Sequence, residues 1–170
     1  MILFRKLALT VSTLLMLGAC AGDLLDDREI IYVAVGASDA FGVGAIPITN
    51  GYVFAIDDAL DDQGRDTALV NLGIPGADTD QIRPAVEIFA RTGIEAQLVT
   101  VWVGNNNLIA GVEVDDFAEE LDRLLDLVQD DIKGFVVIGN IPKLDQLPVF
   151  RDNPDDDVTP ERIDSFLDEL

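Results

Sequence analysis

Four short aliphatic runs, which alternate with longer amphipathic segments, most constrain the fold of this chain. Rich in Val, Ile and Leu, they cover residues 30–35, 68–72, 97–103 and 134–139. Runs of this kind are typical of strands buried on both faces of a parallel sheet. Between them, apolar residues recur with a helical period over residues 52–61, 79–91 and 114–130. This order predicts an α/β fold, in which right-handed helical crossovers join parallel strands.

The length and composition agree with one domain of this kind, over residues 30–170. The chain has 170 residues, and a chain near 150 residues buries roughly two thirds of its unfolded surface. Aromatic residues make up only 6%, so the core must be aliphatic, as in a sheet rich in Val, Ile and Leu.

A last helix is predicted close to the C terminus. Thr159 is its expected N-cap and Pro160 its first helical residue. The apolar face that begins at Ile163 is still continuing at Leu170, where the sequence stops. We therefore expect the domain to be incomplete at its C terminus.

The first nineteen residues predict a bacterial lipoprotein signal peptide. A short basic start precedes an apolar stretch over residues 7–17 and two small residues. The ending LGAC, whose cysteine is Cys20, resembles the lipoprotein box, which implies cleavage before Cys20 and lipid on its sulfur. Ordinary cleavage after Ala21 is the alternative. With lipidation, residues 20–29 form a tether, and the domain is anchored to a membrane of the bacterial cell envelope, at the outer membrane or facing the periplasm.

The charge and the chemistry-bearing residues exclude several classes of function. The net charge is −21, with 32 acidic against 11 basic residues, so we expect no nucleic-acid partner. There is no histidine and only one cysteine, which excludes imidazole ligands, cysteine clusters and an internal disulfide within these residues. The acidic segment 152–157 lacks the glycine and register of an EF-hand loop and is interpreted as solvated. We expect no metal and no cofactor.

Three unusual segments, GASDAFGVG, NLGIPGADT and VGNNNL, follow the first three predicted strands. Ligands of open parallel sheets bind beyond the carboxyl ends of the strands, so these segments should converge. Ser38 can act as a nucleophile there, and its own N–H can point at a developing oxyanion. The N–H of Gly76 and the side-chain amide of Asn106 would complete a hole with three donors.

Each of these residues also has a purely structural interpretation. Ser38 could be the N-cap of the following helix, Gly76 a plain turn glycine, and Asn106 an Asx-turn residue at the end of the third strand. Their joint occurrence at the ends of three neighbouring strands favours the catalytic interpretation.

The three segments, taken in order, resemble the SGNH, or GDSL, hydrolase superfamily of esterases and lipases. GASDAFGVGA is similar to the serine block, NLGIPGADT to the glycine block and VGNNN to the Gly-x-Asn-Asp block, and IGNIPKLDQLP is similar to the segment of the fourth strand. The resemblance implies a flavodoxin-like three-layer α/β/α parallel sheet and hydrolysis of esters or thioesters. It assigns Ser38 as nucleophile and Gly76 and Asn106 as oxyanion donors. The expected partner is a small-molecule or lipid ester.

The sequence departs from the family pattern at three positions of these blocks. Ala37 and Asp39 replace the usual Asp and Leu on either side of the serine. Asn107 stands where the family usually has Asp, and the three consecutive asparagines leave the register of this block open by one position.

The general base is missing from these residues. The family supplies a histidine in an Asp-x-x-His block after a fifth strand, and this sequence has neither. Loss of the histidine of a serine triad costs about a millionfold in turnover, so we expect the chain as written to be nearly inert. Asp39, Asp78 and Asp80 are near enough in sequence to replace it, but solvated carboxylates are poor bases towards an alcohol.

Two accounts of the missing base remain. In the first, the chain is the N-terminal portion of a longer hydrolase. In the second, it keeps the fold without catalysis, either as a lipid-anchored binding protein or as a decayed gene product. A nucleotide-binding Rossmann domain is disfavoured, because GASDAFG lacks the Gly-x-Gly-x-x-Gly pattern.

Overall fold

The structure is a computed structural model that describes residues 30–170 and the backbone of residues 9–10. The described residues form one parallel sheet, with the strand order β1-β3-β2-β4-β5. The strands are β1 (Leu9–Thr10), β2 (Ile30–Gly36), β3 (Thr67–Asn71), β4 (Leu98–Trp102) and β5 (Phe135–Ile138). The four strands predicted from the aliphatic runs are confirmed, each within about two residues of its expected ends.

Helices follow the strands as the helical periodicity predicts. They are α1 (Ser38–Phe41), α2 (Tyr52–Asp62), α3 (Thr79–Ala90), α4 (Asn105–Ile109), α5 (Val114–Leu127), α6 (Pro148–Asp152) and α7 (Pro160–Leu167). A π-helical turn, Val128–Ile132, extends α5. The cap of α7 is confirmed, since the Thr159 side chain accepts a hydrogen bond from the N–H of Arg162 at 3.3 Å.

The sheet separates two apolar clusters, which makes the domain three layers deep. On one face, strand residues such as Val33 and Val99 pack with Phe89 of α3, Leu121 of α5 and Phe166 of α7. The opposite face carries a smaller cluster, formed by Tyr32, Ala34, Ala40, Val53, Phe54 and Leu69, under α2. The predicted α/β/α layering is therefore present, and apart from a few aromatic rings the core is aliphatic.

The expectation of burial on both faces is wrong for β5. Its residues alternate between exposed and half-buried, and Phe135 is 71% exposed. Val136 and Ile138 pack against the large cluster, whereas Phe135 and Val137 lie on the other face, are exposed and do not belong to the smaller cluster. Aliphatic content alone does not distinguish a strand that is covered on one face from a strand covered on two.

The predictions for the N terminus fall almost wholly outside the described residues. The signal peptide, Cys20 and the tether over residues 20–29 are among the residues that the structure does not describe, apart from the backbone of Leu9–Thr10, which pairs with Val70 and Asn71 of β3. No helix in the described part of the chain is long and apolar enough to cross a membrane.

Candidate functional site

Ser38 lies directly beyond the carboxyl end of the central strand β2. The strand ends at Gly36, and a Cβ atom at this glycine would lie 2.7 Å from the carbonyl oxygen of Trp102. The chain then turns at Ala37, and Ser38 is the first residue of α1. Because Ala37 is the N-cap residue and no side chain caps this helix, the interpretation of Ser38 as an N-cap is wrong. Within residues 30–170 the half-buried Ser38 hydroxyl has no hydrogen-bond partner.

Gly76 lies in the turn between β3 and α3. Its φ of +83° is in the left-handed region that favours glycine. A Cβ atom at this position would meet no atom within 4 Å, so the glycine is needed for backbone conformation and not to relieve crowding. Its N–H has no backbone acceptor in the described part of the chain.

Asn106 is the second residue of α4, just beyond the end of β4. Its side-chain nitrogen donates to the carbonyl oxygen of Ala77 at 2.7 Å, across 29 positions of sequence. The Asx-turn interpretation is therefore wrong, because the side chain bonds to another segment and not to its own turn. An amide nitrogen carries two hydrogens, and this bond fixes its orientation while it leaves the second hydrogen for another acceptor.

Hydrogen bonds tie the serine segment to both of the others. The Asn105 amide donates to one carboxylate oxygen of Asp39 at 3.3 Å, and the other oxygen accepts from the N–H of Ala40 at 3.0 Å. Towards the glycine segment, the N–H of Ile74 donates to the Gly36 carbonyl at 3.0 Å. The predicted convergence of the three segments is therefore confirmed.

Asn71, the last residue of β3, reinforces the contact between the serine and glycine segments. Its amide nitrogen donates to the Ala40 carbonyl at 2.7 Å, and its oxygen accepts from the N–H of Gly73 at 2.9 Å. The side chain is buried, being 3% exposed, so the bonds are shielded from water. The sequence predicts that Asn71 lies at the end of a strand. It does not predict the bonding partners of this side chain, which lie 2 and 31 positions away.

Asn107 is fully buried, and its side chain makes three hydrogen bonds to two residues. Its oxygen accepts from the Thr79 N–H at 3.1 Å and from the Thr79 hydroxyl at 2.9 Å. Its nitrogen donates to Glu120 of α5 at 2.8 Å. The sequence did not single out Thr79 or Glu120 as site residues. Its one indication of them was Asn107 itself, an asparagine at a position where the SGNH hydrolases usually have aspartate.

Burial is the main cause that raises the pKa of the Glu120 carboxyl above its usual value. The hydrogen bond from Asn107 opposes this rise, and the negative charges of Asp78 and Asp80 add to it. Burial and the neighbouring acidic residues therefore favour the protonated form of Glu120, whereas its hydrogen bond from Asn107 favours the charged form.

The acidic residues considered as bases are engaged in local structure. Asp39 is held between two segments, as described above. Asp78 caps α3 by accepting from the N–H of Gln81 at 2.8 Å, in a capping box. Asp80 forms an ion pair with Arg83 at 3.1 Å. These contacts agree with the expectation that none of them replaces a histidine base.

Two tyrosines on the α2 side of the sheet are also unsuited to act as bases. Tyr32 is fully buried and shares a hydrogen bond of 2.9 Å with Thr100, and burial raises its pKa to about 12. Burial, followed by the neighbouring Tyr32, raises the pKa of Tyr52 further above its usual value. The Tyr52 ring makes an edge contact with Trp102 at 5.1 Å between centroids, which places Trp102 in packing.

The acidic loop of residues 152–157 is held by local contacts. The N–H of Asp157 donates to the Asp155 carboxylate at 2.9 Å. Among the described residues there is no group of three or more Asp, Glu, Cys or His side chains that could hold a metal ion.

Comparison with known protein families matches residues 34–170 to the GDSL-like Lipase/Acylhydrolase family. No curated protein matches the sequence. Similar solved structures include a mutant of the esterase AlinE4, with 17% identity and a TM-score of 0.64 over 81% of this chain and 66% of the other. Another AlinE4 structure is described as that of an SGNH-hydrolase family esterase.

Two further solved structures have the same degree of similarity. The psychrotrophic esterase EstA from Pseudoalteromonas sp. is 17% identical, with a TM-score of 0.64 over 83% of this chain and 69% of its own. TesA is 20% identical, with a TM-score of 0.63 over 80% and 68%. At these identities the likeness concerns the fold, and this chain spans less than two thirds of the AlinE4 chain.

Proposed function

Because this chain belongs to the GDSL-like lipase/acylhydrolase family, we propose that it is the part of an ester hydrolase that carries the nucleophile and the oxyanion hole. The observation that carries the proposal is the interlocked site, in which three turns join at the carboxyl edge of the sheet around a serine whose hydroxyl is unengaged within residues 30–170. The proposed substrate is a carboxylic ester, either a small molecule or a lipid.

In the proposed reaction the Ser38 Oγ attacks the carbonyl carbon of the ester, and its proton passes to a general base. The tetrahedral oxyanion accepts hydrogen bonds from the Ser38 N–H, the Gly76 N–H and the Asn106 amide, and one such donor is worth about 3 to 4 kcal/mol. The intermediate collapses when the alcohol leaves with a proton. Water then hydrolyses the acyl-serine and regenerates Ser38.

The base of this reaction is not among these 170 residues, which contain no histidine. The carboxylates near the site are occupied, and the two tyrosines have pKa values too high for the task. We infer that an imidazole group from outside these residues takes the Ser38 proton, since a pKa near 6.5 suits this role at neutral pH. Added imidazole should therefore activate Ser38.

The test is covalent labelling of the chain by a fluorophosphonate, read by intact mass with and without imidazole. The EstA structure is one inhibited by monoethylphosphonate, which supports the choice of probe. Attack by the Ser38 Oγ forms a phosphorus–oxygen bond, fluoride leaves, and imidazole takes the proton. We expect a single adduct that depends on imidazole in the wild-type chain and in Ser165→Ala, and no adduct in Ser38→Ala.

Ser165 is a matched control, because it is the other serine within residues 30–170 and its hydroxyl donates to the Glu161 carbonyl at 2.9 Å, within α7. An adduct that survives in Ser38→Ala would remove Ser38 from the mechanism. If imidazole produces no adduct in the wild-type chain, the catalytic proposal fails.

The second candidate function is a binding protein on the same fold, without catalysis, and the absence of histidine from these residues favours it. It predicts that the chain binds an apolar ester reversibly and leaves it intact, with or without imidazole. Recovery of the unchanged ester from the complex distinguishes this function from hydrolysis.

We also propose that Cys20 is lipidated and that the domain is tethered to a membrane of the bacterial cell envelope. The LGAC ending of the leader supports this proposal. Expressed in a bacterium, the chain should carry a diacylglycerol-sized mass increase at Cys20 and fractionate with membranes. Cys20→Ser should remove both, and a soluble product that begins at Gly22 would instead support ordinary cleavage after Ala21.

A further inference from the structure

Asn107 joins the two segments that carry two of the proposed oxyanion donors. Its oxygen holds the first residue of α3 through two bonds, from the Thr79 N–H and hydroxyl. Two residues earlier, the Ala77 carbonyl accepts from the neighbouring Asn106. Three hydrogen bonds therefore clamp the stretch just after Gly76 to residues 106 and 107.

The two bonds between Asn107 and Thr79 are isolated from water. Asn107 and Thr79 are each 0% exposed, and a buried amide whose partner is removed loses the bond without gaining one to solvent. Within residues 30–170 the Asn107 nitrogen has one partner, Glu120 of α5, at 2.8 Å. The same bond ties α4 to a long helix of the main core, so the orientation of the Asn107 side chain is determined from both sides.

Glu120 also accounts for the unusual asparagine. An aspartate at position 107 would place a second carboxylate against Glu120, at a distance where two like charges repel strongly. Asparagine presents a donor to Glu120 and keeps an acceptor for Thr79. The carboxyl group of Glu120 on α5 therefore accounts for the asparagine at position 107, where the family pattern has aspartate.

We propose that Asn107, set by Glu120 and acting on Thr79, is a positioning residue for the oxyanion hole: it holds the Gly76 N–H and the Asn106 amide at the spacing that one oxygen atom requires. The inference rests on the proposed function. Catalytic donors must be placed within about half an ångström, and this clamp is the contact that relates the two segments.

The experiment compares five variants with the wild-type chain by the rate of fluorophosphonate labelling at Ser38 in the presence of imidazole at pH 8. Asn107→Asp places two carboxylates in contact, and we expect labelling to slow by about 10- to 100-fold. Combining Asn107→Asp with Glu120→Gln recreates all three bonds with the last one reversed, since the glutamine nitrogen now donates to the aspartate. We expect this double variant to recover most of the rate.

The remaining three variants are Asn107→Leu, Asn107→Leu combined with Glu120→Gln, and the control Glu119→Gln. Asn107→Leu fills the space without hydrogen bonds, and we expect slow labelling that Glu120→Gln does not recover. Glu119 lies one residue from Glu120 on α5 with a 73% exposed side chain, and its variant should label at the wild-type rate. All rates are measured below the unfolding transition of each variant, so that they refer to folded protein.

A second readout is the NMR signal of the Asn106 side-chain amide, whose proton bonded to Ala77 should be protected from exchange. We expect this protection to be lost in Asn107→Asp and restored in the double variant. Wild-type labelling in Asn107→Asp, or no recovery in the double variant, overturns the positioning role. If the wild-type chain itself is not labelled, the proposed function fails instead, and the Asn106 signal alone decides the positioning role.

Discussion

Replacement of Asn106 by alanine tests the site most directly, because this side chain has one structural bond and one proposed catalytic bond. The structural bond is the 2.7 Å contact with the Ala77 carbonyl, and Ala77 is only 5% exposed. A buried carbonyl left without its donor costs about 1 to 3 kcal/mol. For a domain of this size, that loss lowers the Tm by about 3 to 10 °C.

The catalytic bond predicts a separate and larger effect. Removal of one oxyanion donor costs about 2.7 to 4 kcal/mol, or about 100- to 1,000-fold in rate. We therefore expect Asn106→Ala to be folded at 25 °C, yet to react with the fluorophosphonate and imidazole at least about 100-fold more slowly than the wild-type chain.

The assay measures the labelling rate and the thermal unfolding curve on the same preparations. Asn105→Ala is the matched control, since it removes the neighbouring amide and its 3.3 Å bond to Asp39 without removing a proposed donor. A labelling rate for Asn106→Ala within about threefold of the wild-type rate, with Ser38 still required, would refute the assignment of the oxyanion hole. If the slow variant is Asn105→Ala instead, the register of this block is shifted by one position.

Three further predictions concern stability. Phe166 is fully buried and stacks on Phe117 with ring centroids 4.6 Å apart, so Phe166→Ala should lower the free energy of unfolding in denaturant by about 3 to 5 kcal/mol. The control Phe135→Ala, at a 71% exposed position, should change that free energy by less than about 0.5 kcal/mol. Gly76→Ala should lower the free energy of unfolding by about 1 kcal/mol, because φ is positive but the space around the Cβ is open. Gly73→Ala should lower it several times more, because its Cβ would lie 2.5 Å from the Phe41 nitrogen. Equal losses of Tm in the two variants would contradict this reasoning. Burial raises the pKa of Glu120 above the ordinary 4.5, so its contribution to stability is present at low pH and is lost as the pH rises through the folded-state value. In urea unfolding, the stability of Glu120→Gln relative to the wild-type chain should therefore increase as the pH is raised from 4 to 8, and a relative stability that stays constant or decreases would contradict the direction of the shift.

The layout of the chain could be predicted from local patterns. Strand β2 is an uninterrupted apolar run that stops at glycine, and α5 carries apolar residues on one face, so period and turn residues were sufficient for both. The cap of α7 at Thr159 followed from the same local chemistry. Strand β5 was predicted correctly as a strand but wrongly as buried on both faces, because coverage depends on which helices cross over it.

The candidate site likewise combines residues that local patterns predict with contacts that they do not. Ser38, Gly76 and Asn106 could be singled out because parallel strands place their carboxyl ends at one edge. The bonds that join the three turns connect positions 28 to 66 apart in the sequence, and no local pattern encodes such partners. Glu120 is one of 32 acidic residues, and nothing in the sequence distinguishes it from those that face solvent.

The sequence by itself determined the order of strands and helices, the aliphatic character of the core and the serine, glycine and asparagine turns, because each depends on neighbours a few positions away. Only the tertiary structure decided which face of β5 is covered, that Asn106 bonds to Ala77, and that Asn107 lies between Thr79 and Glu120. Those facts depend on how separate elements pack, since a side chain buried at the junction of three helices takes its partners from all of them.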